Sequence, residues 1–175
     1  MKRSTFVLAL WGFAITALLG TLLHYLYDWT GESVWVAPFS GVNESTFEHM
    51  KLLFWPMLLF ALASFPLFGK RSDFWCVTLR AITLGLLLIP VLFYTYNGAV
   101  GKSPDWLNIS FFFLSAAGAY FYVWRRFQKA ERGCRLPWVA ILLLIFISLF
   151  FVLFTFYPPK LGLFLDPVTG KYGIV

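Results

Sequence analysis

Asn43-Glu44-Ser45-Thr46-Phe47-Glu48-His49-Met50-Lys51 crowds two carboxylates, a histidine and a lysine together and then runs into Leu52-Leu53-Phe54-Trp55-Pro56-Met57-Leu58-Leu59-Phe60. Ser45 followed three residues later by Glu48 is the signature of a capping box, so a helix starts here. The apolar run behind it continues to about residue 68, long enough to cross the roughly 30 Å of bilayer hydrocarbon that takes on the order of 20 helical residues. Four more runs of this kind lie near 5–26, 74–97, 105–124 and 137–157. The expected fold is therefore all-α, a bundle of five transmembrane helices. A β-barrel is disfavoured, because the runs are continuous rather than alternating.

Composition agrees with an integral membrane protein. The 175 residues are 60% hydrophobic and only 13% charged, about half the charge of an ordinary soluble domain. The chain from 1 to 175 reads as one membrane domain with a tail over 158–175, leaving no length for a separate soluble unit. Met1-Lys2-Arg3-Ser4 precedes an apolar run longer than the roughly 7–15 residues of a signal-peptide core, so the first run is expected to be a retained span.

The net charge of +6 is a topology signal rather than a nucleic-acid interface. Lys2, Arg3, Lys70, Arg71, Arg80, Arg125, Arg126, Lys129, Arg132 and Arg135 fall at one end of the expected bundle, against Lys51, Lys102, Lys160 and Lys171 at the other. The positive-inside rule then places the amino terminus in the cytoplasm and the carboxyl terminus outside, in a multi-pass protein whose partner is membrane lipid. Cys76 and Cys134 fall at the cytoplasmic end. Thiols stay reduced there, so no structural disulfide is expected.

Gly12, Thr16, Gly20, His24 and Asp28 recur every four residues. They form a seam on which a neighbouring helix can approach closely, with His24 near its outer end. Tyr94 and Asn97 close the third helix, and Asp105 and Asn108 open the fourth. Together with Asn43, Glu44, Glu48, His49 and Lys51 these groups share one exoplasmic layer, and ionisable groups at membrane depth face a bundle interior or cavity. Capping alone accounts for Ser45, Glu48 and Lys51, the last two as an i,i+3 pair. It leaves Glu44, His49 and the level placement of His24 unexplained.

Imidazole and carboxylate both coordinate divalent ions, and a catalytic zinc site needs only three protein ligands. His24, His49, Glu44 and Asp105 are the candidate metal ligands, with Glu48 the candidate general base and Asp28, Asn43, Lys51, Tyr94, Asn97 and Asn108 around them. Glu48 and His49 are neighbours on a helix and point about 100° apart, so both cannot aim at one atom without a distorted helix start. A haem between His24 and His49 lacks an attachment motif or a second histidine pair.

His24-Tyr25-Leu26-Tyr27-Asp28-Trp29, the Asn43–Lys51 stretch, Phe93-Tyr94-Thr95-Tyr96-Asn97-Gly98 and the Asp166–Gly173 tail resemble an uncharacterised family of small multi-pass bacterial membrane proteins, a domain of unknown function. The resemblance implies the architecture above and a bacterial plasma membrane. It carries no activity, cofactor or substrate. From the residues, the leading expectation is a membrane-embedded hydrolase acting on a lipid or other amphipathic substrate, assisted by a divalent metal such as zinc. A small-molecule transporter or ligand-binding protein, and a structural partner in a membrane complex, are the alternatives.

The topology predicts that a reporter active only outside the cytoplasm works when fused after Ser40 or Val175 and is silent after Arg132. Activity after Arg132 overturns the orientation.

Overall fold

The computed structural model describes residues 2–131 and 133–174. The side chains of Lys2 and Arg3, and Arg132 altogether, lie outside what is described. Five helices form, α1 Lys2–Trp29, α2 Thr46–Phe68, α3 Phe74–Ala99, α4 Asp105–Phe127 and α5 Pro137–Phe156. All five are long and apolar enough to cross a membrane, and the described residues contain no strand. The chain therefore has the architecture of a multi-pass membrane protein. α4 continues past its apolar run through Arg125 and Arg126, whose charges suit the negative end of the helix dipole.

α1 packs against α2 and α4, and α3 packs against the same two, so α1 to α4 close a ring. The close approach of α1 comes from its small residues. A Cβ at Gly12 would lie 2.2 Å from Tyr120, and one at Gly20 would lie 2.5 Å from Phe112 and 2.8 Å from the Leu52 carbonyl. Between them the Thr16 hydroxyl meets the Tyr120 hydroxyl at 2.8 Å in the buried interface.

α5 lies outside this ring, against α3 and the start of α2. It turns Ala140, Leu144, Phe151 and Thr155 inward along one stripe and leaves Leu142, Phe146, Leu149 and Leu153 exposed. An exposed apolar stripe on the outermost helix is the surface that lipid covers.

Inside this frame the Lys51 ammonium is completely buried and surrounded by acceptors. It donates to Glu48 Oε2 at 2.6 Å, to the Ala37 carbonyl at 2.9 Å and to Thr155 Oγ1 at 2.9 Å. Its three protons are thereby used. Glu48 Oε2 also accepts from Val42 N–H at 3.0 Å. One ion pair thus fastens the α1–α2 loop, the first turns of α2 and the end of α5.

That loop is folded back over α1 rather than extended. Ser40 Oγ accepts from Tyr27 N–H and donates to the Leu23 carbonyl, and Trp55 Nε1 donates to the Pro38 carbonyl at 2.9 Å.

The opposite end of the bundle carries a second fastening. Arg71 and Arg126 both hold the buried Asp73 carboxylate at 3.0 Å, and Arg71 also donates to the Phe127 and Lys129 carbonyls. Ser72 donates its N–H and hydroxyl to Glu131, and these bonds hold the Glu131 carboxyl below the ordinary carboxylate range.

Here the expectation of unpaired cysteines is overturned, because Cys76 and Cys134 form a disulfide with Cα atoms 6.1 Å apart. The pairing weighs against a reducing surrounding at this end of the bundle, and so against the cytoplasmic placement that the basic residues favour. Proximity arises because Arg71 and Ser72 draw the α4–α5 loop across the start of α3.

Removing one partner of a buried ion pair typically costs about 3–5 kcal/mol, because the other charge is stranded. Lys51→Met is expected to destabilise the protein by that amount in a reversible unfolding assay in bilayer discs, and Glu48→Leu with Lys51→Met to recover at least half of it. A single variant within about 1 kcal/mol of wild type contradicts the role given to the pair.

Candidate functional site

At the end of the bundle where α1, α3 and α5 finish and α2 and α4 begin, a cavity of ≈ 520 Å³ opens. His24 reaches it from α1, Glu44 from the loop just before α2, Thr46 and His49 from the first turn of α2, and Phe93 and Asn97 from α3. Asp105, Asn108 and Ile109 reach it from α4, Lys102 and Ser103 from the α3–α4 turn, and Pro167 and Val168 from the tail.

Glu44 stands between the two histidines. Its Oε1 lies 3.6 Å from His24 Nε2 and its Oε2 lies 3.6 Å from His49 Nε2. The imidazole rings face each other with centroids 5.6 Å apart. The ligand atoms of His24, Glu44 and His49 all fall within 4.8 Å of one another.

Helix α2 sets the orientation of His49. Ser45 caps the helix by accepting from Glu48 N–H, and the Ser45 carbonyl sits 2.9 Å from His49 Nδ1. A carbonyl only accepts, so Nδ1 carries the proton and Nε2 is directed to Glu44. For His24 the constraint is the returning loop. Gly41 N–H donates to the Leu23 carbonyl, and a Cβ on Gly41 would lie 3.4 Å from His24 Nδ1, which is buried without a hydrogen-bond partner.

The structure separates Glu48 from this group. Its carboxylate is turned to Lys51 and Val42 and does not line the cavity, so the general base expected there is held elsewhere. The reason is the helical angle between neighbours: with His49 aimed at Glu44, Glu48 necessarily faces the bundle side. Lys51 goes with it.

Asp105 lines the cavity but stands outside the three-residue group. Asp28 is exposed and lies off the cavity wall. Tyr94 is half exposed and receives the Thr46 hydroxyl at 3.5 Å.

Asn97 and Asn108 brace the α3–α4 turn. Asn97 Oδ1 accepts from Ser103 N–H at 3.0 Å, and Asn108 Oδ1 accepts from Ser103 Oγ at 2.6 Å. Asn43 braces the tail instead. Its Oδ1 accepts from Ser45 N–H, and its Nδ2 donates to the Gly173 carbonyl at 2.9 Å.

The tail is ordered by its own turn. Asp166 accepts from Val168 N–H and Thr169 Oγ1, while Phe164 packs on Phe47 and Phe154. Lys102, Ser103 and Thr46 are cavity residues that no sequence pattern singled out. Lys102 and Ser103 sit in a turn with no periodicity to show their direction, and Thr46 was absorbed into the helix start.

The profile of a family of unknown function (DUF6512) matches residues 3–174. The chain belongs to that family. No curated protein and no solved structure matches it.

Loss of the Asn43–Gly173 bond is expected to loosen the tail. A hydrogen bond of this kind contributes about 1 kcal/mol, so Asn43→Ala should raise the rate of tryptic cleavage after the exposed Lys171 by roughly fivefold. An unchanged rate contradicts the bracing role.

Proposed function

We propose that this family member is a metal-assisted membrane hydrolase, holding a divalent ion such as zinc between His24, His49 and Glu44. The observation that carries the reading is the pair of 3.6 Å separations around Glu44. They exceed the usual 2.7–3.2 Å range of a hydrogen bond. They are close to the roughly 3.3 Å spacing of two ligands about 2.0–2.1 Å from one tetrahedral ion. The orientation of His49 adds to this, since its Nε2 is the ring nitrogen turned toward Glu44. The Ser45 carbonyl that fixes Nδ1 is the kind of acceptor to which metal-bound histidines donate their other ring N–H.

Three protein ligands would be the number that catalytic rather than structural zinc sites use. An ion held there would supply Lewis acidity and lower the pKa of a bound water toward neutrality. Among the described residues, Asp105 is the carboxylate of the cavity wall that remains outside the ligand group, and it takes the role of proton acceptor. Asn97 and Asn108 hold the turn from which it projects. Pro167 and Val168 form the tail side of the opening.

The distribution of Lys and Arg supports a cavity on the exoplasmic side, in a chain acting as one membrane domain, and the family resemblance implies that the membrane is a bacterial plasma membrane. At that depth the substrate is a lipid or another amphiphile carrying a hydrolysable ester.

Purified protein in bilayer discs is expected to contain about one zinc per chain, removable by chelation and lost in Glu44→Gln and His49→Ala. Asp105→Asn should retain the zinc and lower turnover of a panel of chromogenic carboxylic-ester and phosphoester amphiphiles by roughly 10²-fold or more. Protein that neither contains nor binds a divalent ion, with ligand variants indistinguishable from wild type, overturns the reading.

A further inference from the structure

With Glu44 committed to the histidines, the charged groups left on the cavity wall are Asp105 and Lys102. Lys102 makes no ion pair among the described residues. A divalent ion in the His24–Glu44–His49 group outweighs Glu44, and Lys102 offsets Asp105, so the cavity stays electropositive. Asn108 adds a donor, because its Oδ1 is taken by Ser103 and the amide nitrogen is the other end of the side chain. A neutral head group would leave these positive groups uncompensated beside low-dielectric walls, where charge interactions are strongest.

Beneath this polar rim the wall is apolar, made by Ile89, Phe93, Phe111 and Phe112. Ile89 precedes the last residue of α3, Ala99, by ten positions, about 15 Å along the helix axis and roughly half the hydrocarbon thickness. Ile109 lines the cavity from α4 and is 58% exposed, so it stands where the cavity opens at the bundle surface. A site polar at the rim and apolar to mid-membrane depth, with an opening at the bundle surface, matches an amphiphile lying along the wall.

Resting on the metal reading above, we propose that the cavity binds an amphiphile with an anionic, phosphate-bearing head, and that Lys102 is its head-group residue. Phosphate offers several anionic oxygens and so can meet the ion and a lysine together, with lysine acting as a point charge. The chain lies against Ile89 and Phe93 and leaves past Ile109.

The test measures equilibrium binding of lysophosphatidate, of monoacylglycerol with the same chain, and of inorganic phosphate to protein of known zinc content in phosphatidylcholine discs. Lysophosphatidate is expected to bind at least about tenfold more tightly than each of the other two. Lys102→Glu should reduce its preference over monoacylglycerol to within about twofold while zinc content stays unchanged, and Lys102→Arg should preserve it. Zinc-loaded protein that binds the two lipids equally, or a preference that survives Lys102→Glu, overturns the head-group assignment and leaves the metal reading standing. Inorganic phosphate binding as tightly as lysophosphatidate overturns the amphiphile. Absence of zinc removes the metal reading alone. In that case, a Lys102-dependent preference in the metal-free protein upholds the head-group assignment, and its absence overturns it.

Discussion

A lysine ammonium cannot be left bare inside a bundle of this hydrophobicity, and the burial of Lys51 dictates much of what surrounds it. Its acceptors come from Glu48, the Ala37 carbonyl and Thr155, which belong to α2, the α1–α2 loop and α5. Supplying the Ala37 carbonyl requires the loop to fold inward. The inward fold brings Gly41 against His24 and helps to place Glu44 within reach of both histidines. The cavity group thus depends on an ion pair that takes no part in lining it.

The rest of the site is built from rigid pieces in the same economical way. α1 can approach α4 closely because Gly12 and Gly20 have no side chains, and the approach carries His24 toward α2. Ser45 both caps α2 and orients His49. Asn97, Ser103 and Asn108 tie the α3–α4 turn, while Asn43 connects the α2 start to the tail. These side chains satisfy local backbone or a neighbour, which a low-dielectric setting demands. The Glu44 group is the exception, with separations too long for hydrogen bonds.

Hydropathy alone made the five helices readable, since each span is a continuous apolar run. It failed at the end of α4, where Arg125 and Arg126 prolong a helix that hydropathy terminates. The capping pattern at Ser45 was readable too, and subtracting it from the polar stretch left Glu44, His49 and His24, the residues that the fold brings together. Glu48 was half readable. Its i,i+3 pairing with Lys51 and its angle to His49 were plain in the sequence, but which of the two neighbours would face the cavity was not, because that is set by Val42 in a loop without periodicity and by Lys51, whose own place depends on Thr155 at the far end of the chain. The Cys76–Cys134 disulfide was hidden for a similar reason: the path of the α4–α5 loop is drawn by Arg71 and Ser72 on another segment.

Glu48 and His49 are consecutive, yet they serve opposite sides of α2, one the buried lysine and the other the cavity. Adding or removing a single residue between the Ser45 cap and this pair rotates the remainder of the helix by about 100° and would misdirect both side chains together. The rotational phase of α2 is therefore fixed twice over, once by electrostatics within the bundle and once by chemistry at its rim. Lengthening or shortening this turn has no neutral solution, whereas the exposed segment around Gly31, closed by its own backbone hydrogen bonds onto the end of α1, lies clear of both.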